Sequence, residues 1–312
     1  MRNAIYLPEK ISAHGTPIGH PETWTRLRAI QEGLDDPAYA FIERCVAPVA
    51  PLEVAELLHT KDYLAELSRP FEVGEYMRAL DAMDTYLSHD SLSAALAGVG
   101  ASIEAIARLN AGDLDHAFVA TRPPGHHALS DKAMGFCLLG TAALAAVHAR
   151  DTYGYKVAVL DFDLHHGNGT QALLEEESGV FFASTQERSQ WPGTSETGIT
   201  GRFSHIHNID LKRKTGTLKM EEVWKDLLDR MRAFEPDLVI VSAGFDAHQD
   251  DPLSGLKWQT LSYGWLAEQI AAASKASARG GVLSVLEGGY EQSVLRKSVP
   301  LYLRKMAAIL AV

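Results

Sequence analysis

At 312 residues, with 46% hydrophobic and 22% charged residues, the chain holds enough apolar content to bury a large core, which excludes disorder as its main state. Twenty-nine Lys and Arg against forty Asp and Glu leave a formal net charge of −11, which argues against a phosphate-tracking surface and so against direct nucleic-acid binding. Two cysteines, Cys45 and Cys137, exclude a disulfide framework and fit a reducing compartment.

The first ten residues carry no apolar signal-like run, and the most apolar stretch, 138–149, is too short to span a bilayer. A cytoplasmic protein with no membrane partner is the expectation. Its oligomeric state is open.

In chain order, Leu92, Leu96, Val99, Ile103 and Ile106 recur at helical spacing and predict a helix over 91–109. A strand over 116–120, a helix over 140–153 and strands over 157–162 and 180–184 follow. Beyond them come a helix over 218–234, a strand over 238–241, a helix over 258–278, a strand over 282–286 and a helix over 293–309. Glu235-Pro236-Asp237 and Arg279-Gly280-Gly281 stop two of the helices. The strands are short Val/Ala/Ile/Leu-rich runs of the kind buried on both faces of a parallel sheet. With no linker or repeat, the reading is a single open α/β domain over 1–312, its mostly parallel β-sheet flanked by helices.

Such sheets bind ligands beyond the carboxyl ends of their strands, and the polar clusters fall there. Asp161, Asp163 and His165 alternate at a period of two, so an extended segment would aim all three to one side. Carboxylate and imidazole ligands suit Zn²⁺, with Fe²⁺ or Co²⁺ also open. Asp163 and His165 supply two ligands, and Asp246, at a neighbouring strand end, is the natural third. An ion-activated water needs a proton acceptor, and His126-His127 behind Pro123-Pro124-Gly125 supplies imidazoles. Asp161 and Asn168 are placed to orient one each; a carboxylate partner raises a His pKa and an amide does not, so the two should differ in protonation. Tyr290, after Glu287-Gly288-Gly289, can donate a hydrogen bond to a carbonyl becoming an oxyanion.

With these motifs in this order, together with Gly135-Phe136-Cys137 and Asp251-Pro252, the sequence resembles the zinc-dependent histone deacetylase family of the arginase–deacetylase fold, its bacterial class II-like and acetylpolyamine amidohydrolase members in particular. Weaker echoes are His20-Pro21-Glu22 and Asp84-Thr85-Tyr86. The resemblance implies Asp163, His165 and Asp246 as metal ligands, His127 as general base and acid, His126 as its electrostatic partner held by Asp161, and Tyr290 as the group polarising the scissile carbonyl. Attack then passes through a gem-diolate and releases acetate and an amine. It also implies a structural K⁺ held by Asp161, Asp163 and His165 backbone groups with Ser184 and Thr185, which spacing alone would not suggest.

The same resemblance makes Phe136, Trp191, Leu253, Gly135 and Gly288 candidates for the acyl-lysine tunnel. Trp191 stands where the family usually has Phe. Asp84 either binds substrate backbone at the rim or caps the helix starting near Ser91. The loop after Pro192 and the early His20-Pro21-Glu22 stretch depart from the family pattern, and His207 reads as a packed strand residue. The implied activity is hydrolysis of acetyl-lysine in proteins or peptides. Acetylated polyamines are the alternative; polyamine-preferring relatives carry Glu after the Asp-Pro pair, where this chain has Leu253. A non-catalytic acetyl-lysine-binding protein and a two-metal ureohydrolase are minor alternatives, the first disfavoured by Tyr290 and the second by His126-His127.

Overall fold

The computed structural model describes residues 2–81, 84–275 and 281–311. Among them, nine strands form one sheet: β1 (Asn3–Leu7), β2 (Ile42–Val46), β5 (His116–Val119), β6 (Val157–Asp161), β7 (Val180–Glu187), β8 (Gly198–Thr200), β9 (Ile206–Leu211), β10 (Leu238–Ala243) and β11 (Gly281–Leu286). The order is β2-β1-β5-β11-β10-β6-β7-β9-β8, and every pairing is parallel except the β8–β9 edge. A small antiparallel pair, β3 (Met77–Ala79) and β4 (Tyr86–Ser88), lies outside it.

Period-two alternation divides the sheet's side chains between two helical layers. Ala158 and Leu160 of β6 face the layer built by α1 (Thr25–Leu34), α6 (Thr217–Phe234), α7 (Thr260–Lys275) and α8 (Gln292–Leu310), while Val157 and Val159 face the other. That second layer contains α3 (Ser91–Ala111), α4 (Thr141–Tyr153) and the short α5 (Asn168–Leu174), and α2 (Lys61–Ser68) packs outside it. Helix α3 is long and apolar enough to cross a membrane by length and composition, more so than the 138–149 stretch; 67% of its apolar window is buried inside the fold, as befits a core helix.

The five predicted strands and five predicted helices all form, with ends shifted by a few residues. The predicted helix over 258–278 is α7, observed over Thr260–Lys275, and its stop at Arg279-Gly280 lies outside the described residues. Helix α6 ends at Phe234 as expected, with Glu235 in the left-handed region at φ 56°. The N-terminal strands β1 and β2 and helices α1, α2 and α5 are additions to the sequence reading. His207 is a strand residue of β9, its ring 4.8 Å from Phe181.

One expectation needs correction. The Asp161–His165 stretch is not extended: β6 ends at Asp161 and the chain bends through Asp163, Leu164 and His165. A strand continuing there would lose the loop curvature through which Asp163 and His165 reach Asp246. Instead, side-chain carboxylates cap the bend, Asp161 Oδ1 accepting Asp163 N–H at 3.0 Å and Asp163 Oδ1 accepting His165 N–H at 2.9 Å.

Candidate active site

Strands β5, β11, β10 and β6 are neighbours at the centre of the sheet, so the loops at their carboxyl ends converge. One ligand atom each from Asp163, His165 and Asp246 lies within 4.8 Å of the others, and all three residues are buried. His165 Nδ1 sits 3.2 Å from Asp163 Oδ1 and 3.1 Å from Asp246 Oδ2. Burial and the adjacent Asp163 push the Asp246 carboxyl up to about 7. Burial alone would lower His165, yet the two carboxylates lift it to about 10. Two enclosed carboxylates facing one imidazole hold a proton on His165 that a divalent cation would displace, so the donor set fits a metal ion.

Backbone amides hold the ligands. Gly288 N–H donates to Asp163 Oδ2 at 2.8 Å and Leu164 N–H to Asp246 Oδ1 at 2.9 Å. Position 288 has to be glycine for a steric reason: a Cβ there would stand 2.6 Å from Asp163 Oδ2 and closer still to Asp246 Oδ2. Gly288 therefore belongs to the floor of the site and not to the tunnel wall the sequence suggested.

The histidine pair lies beside this floor. His126 Nδ1 is 3.0 Å from Asp161 Oδ2, and His127 Nδ1 is 2.7 Å from Asn168 Oδ1. Burial drives both imidazoles toward neutrality, but Asp163 and Asp161 outweigh it at His126, whose pKa stands well above the ordinary value. At His127 burial acts together with the charges of His126 and His165, and its pKa falls well below. The two rings thus differ in protonation, as their partners predicted. Burial lifts the Tyr290 phenol well above its usual range, so it stays protonated.

Above the floor opens a cavity of about 330 Å³ lined by His20, Pro21, Asp84, His127, Gly135, Phe136, His165, Gln190, Trp191, Leu253 and Tyr290. Phe136 stands edge-on to His20 at 4.7 Å and to Tyr290 at 5.8 Å; Trp191 stands edge-on to His127 at 4.6 Å. Gly135 and Phe136 both have left-handed backbone, φ 56° and 69°, and Thr85 Oγ1 secures the turn by accepting Phe136 N–H at 3.1 Å. Asp84 lines the cavity, and Asp90 occupies the position before α3, so Asp84 does not cap that helix. Ser184, paired in register with Asp161, and Thr185 are buried on β7. Ser184 Oγ donates to Gln186 Oε1 at 3.0 Å, while Thr185 Oγ1 has no hydrogen-bond partner.

Several residues here were not read from the sequence as site residues. Glu287 Oε2 accepts Gly125 N–H at 2.7 Å and His126 N–H at 3.1 Å, pinning the histidine turn to the end of β11. Buried Glu22 pairs with Arg122 and with Arg26 (3.0 Å). Arg26 also donates to the carbonyls of Gly289, at 2.6 Å, and Glu287, with its guanidinium carbon 5.1 Å from the Tyr290 ring centre. His20 and Gln190 join the cavity wall. The available signals were the Glu287-Gly288-Gly289-Tyr290 and His20-Pro21-Glu22 motifs; Gln190 had none.

A buried two-carboxylate, one-imidazole pocket at the carboxyl ends of central parallel strands, with a histidine pair and a phenol beside it, defines a metal-dependent hydrolase. Comparison with known proteins narrows the class. The histone deacetylase domain model matches residues 20–306, and the chain belongs to that family as an amidohydrolase. It is 39% identical over 225 residues to type-2 histone deacetylase 2 of Dictyostelium discoideum, covering 66% of this chain but only 13% of that protein. Against the histone deacetylase-like amidohydrolase of Pseudomonas aeruginosa it is 31% identical over 281 residues, covering 88% of this chain and 72% of that protein. The crystal structure of the HDA15 HD domain superposes with a TM-score of 0.88 at 27% identity, covering 99% of this chain and 89% of that one.

Proposed function

We propose that the protein is a zinc-dependent deacetylase that hydrolyses the acetyl amide of N-ε-acetyl-lysine in proteins or peptides. The observation carrying this reading is the convergence of Asp163, His165 and Asp246 at the floor of a cavity walled by His127, Phe136, Trp191 and Tyr290. Those three residues would hold the ion, which when bound supplies Lewis-acid polarisation of the carbonyl and a more acidic water. Thr185 Oγ1, buried without a partner, fits the K⁺ site that family membership implies, with Ser184 and the backbone of Asp161, Asp163 and His165 completing it.

His127 is neutral, and with Nδ1–H donated to Asn168 its Nε2 lone pair is free to accept the proton of the attacking water. The same nitrogen then delivers that proton to the departing lysine amine. His126 remains charged against Asp161, favouring the anionic transition state and keeping His127 neutral in its resting form. Tyr290 donates its phenolic proton in a hydrogen bond to the carbonyl oxygen as negative charge builds there. Phe136 and Trp191 flank the aliphatic stem of the lysine and exclude water from it. The products are acetate and free lysine.

The apolar Leu253 in the cavity wall favours acyl-lysine, because it gives no counter-charge to a second ammonium. Asp84, a carboxylate lining the same cavity, favours the second reading, acetylated polyamines. Rates on an acetyl-lysine peptide and on an acetylated polyamine, each with and without chelator, test the two. Faster, chelator-sensitive peptide turnover is expected; faster polyamine turnover replaces the substrate assignment, and no hydrolysis of either removes the proposal.

A further inference from the structure

One buried carboxylate beside the cavity has no place in the proton transfers above. Asp251 is 5% exposed, and its two oxygens serve two different parts of the cavity wall. Oδ2 accepts the N–H of Tyr290 at 2.7 Å and of Glu291 at 3.2 Å, while Oδ1 accepts the N–H of Leu253 at 3.0 Å. Leu253 and Tyr290 both line the cavity. The carbonyl of Leu253 in turn accepts Gln190 Nε2 at 3.1 Å, and Gln190 immediately precedes Trp191. A run of hydrogen bonds therefore passes from the Trp191 loop through Leu253 and Asp251 to the backbone of Tyr290.

Tyr290 lies in the irregular segment between β11 and α8, so no sheet ladder or helix fixes its backbone. Arg26 grips the carbonyl side of this segment through Gly289 and Glu287, and Asp251 grips its amide side. Charge-assisted bonds from a buried carboxylate to backbone N–H groups are stronger than neutral ones, and breaking them leaves enclosed donors unsatisfied.

We propose that Asp251 is a positioning residue: it sets the backbone of Tyr290, and through it the phenol, in register with the Leu253 wall. This rests on the reading of Tyr290 as the donor to the substrate carbonyl. Displacing a reacting group by about 1 Å costs roughly a hundredfold in rate, so the orientation of a single loop residue is kinetically visible.

The test is a double-mutant cycle on the zinc-loaded enzyme with an acetyl-lysine peptide, measuring kcat, KM and bound metal for wild type, Asp251→Asn, Tyr290→Phe and the double variant. Asp251→Asn keeps the side chain's size but replaces an acceptor by an NH₂ donor. It is expected to lower kcat roughly ten- to a hundredfold with metal content retained and a smaller change in KM. In the Tyr290→Phe background the same substitution should cost less than about twofold, because no phenol remains to misplace. Multiplicative losses would show that Asp251 merely supports the structure, and an unchanged kcat in Asp251→Asn would show that it does nothing for turnover; either overturns the proposal. Tyr290→Phe at the wild-type rate would instead remove the reading of Tyr290, and the proposal with it. Hydrogen exchange on the unmodified protein gives a check independent of any variant's folding. The amides of Leu253, Tyr290 and Glu291 should exchange slowly despite lying outside helix and strand, and exchange at the free-chain rate would overturn the proposal.

Discussion

The floor of the cavity and its mouth are built by different means. At the floor, Asp163, Asp246 and Glu287 are buried and their oxygens take hydrogen bonds from the backbone amides of His165, Gly288, Leu164, Gly125 and His126. At the mouth, His20, Asp84, Gln190, Trp191 and Leu253 are only partly buried, and they meet through ring edges and single side-chain bonds such as Gln190 to the Leu253 carbonyl. A floor fixed by main-chain donors tolerates little change in any one group, whereas the mouth's side chains are held by fewer bonds, and the run through Leu253 and Asp251 links them to Tyr290. In the proposed function, reaction type is assigned to the first region and substrate choice to the second.

The largest effect that sharpens this contrast is expected from Tyr290→Phe. Losing its hydroxyl should lower turnover of an acetyl-lysine peptide by roughly a hundredfold or more, as for other oxyanion donors, with bound metal unchanged. Comparable rates in both proteins would remove Tyr290 from the chemistry carried out above the floor. Asp161→Asn comes next: weakening the charge that holds His126 should cost roughly ten- to a hundredfold in rate with little change in unfolding midpoint. An undiminished rate would show that the pairing is idle.

At the mouth, Trp191→Phe should alter KM and the ranking of acyl groups by only a few-fold, about 1 kcal/mol, with kcat nearly kept. A collapse of kcat in this variant would erase the distinction between the regions, because Trp191 would then be holding His127 in place.

The last effect is a difference in pH slope, confined to the acid range. Burial raises the Glu22 carboxyl, but Arg122, His14 and Arg26 outweigh it and leave its pKa at about 2. A carboxyl held below its unfolded value contributes stability that is complete above the unfolded pKa of about 4.5 and is lost as pH falls toward 2. Unfolding midpoints measured across that window should fall less steeply in Glu22→Gln than in wild type; equal slopes would mean that the Glu22 cluster does not contribute to acid stability.

The floor was far more legible in the sequence than the mouth. Asp161, Asp163, His165 and Asn168 fall within eight residues, and His126-His127, Asp246 and Tyr290 each sit in a short motif directly after a strand of unmistakable apolar pattern. Local order and sheet topology suffice to bring such groups together. The Glu22–Arg122 pair spans a hundred residues, and although Glu22 stands in a short motif, nothing local in the sequence pairs the two until the fold buries them. Strand β2 escaped notice because Ile42-Glu43-Arg44-Cys45-Val46 is an edge strand with mostly exposed side chains. The bend at Asp163 was missed for a related reason: alternation in sequence resembles a strand, and only the carboxylate caps reveal the turn.

Metal titration of the chelator-stripped protein, followed by bound-ion stoichiometry and by hydrolysis of an acetyl-lysine peptide in the same samples, tests the centre of the account most directly. Activity should rise from background in step with a single equivalent of Zn²⁺, and Asp246→Ala should neither retain the ion nor recover. Full turnover by metal-free protein, or stoichiometric binding that survives in Asp246→Ala, would contradict it.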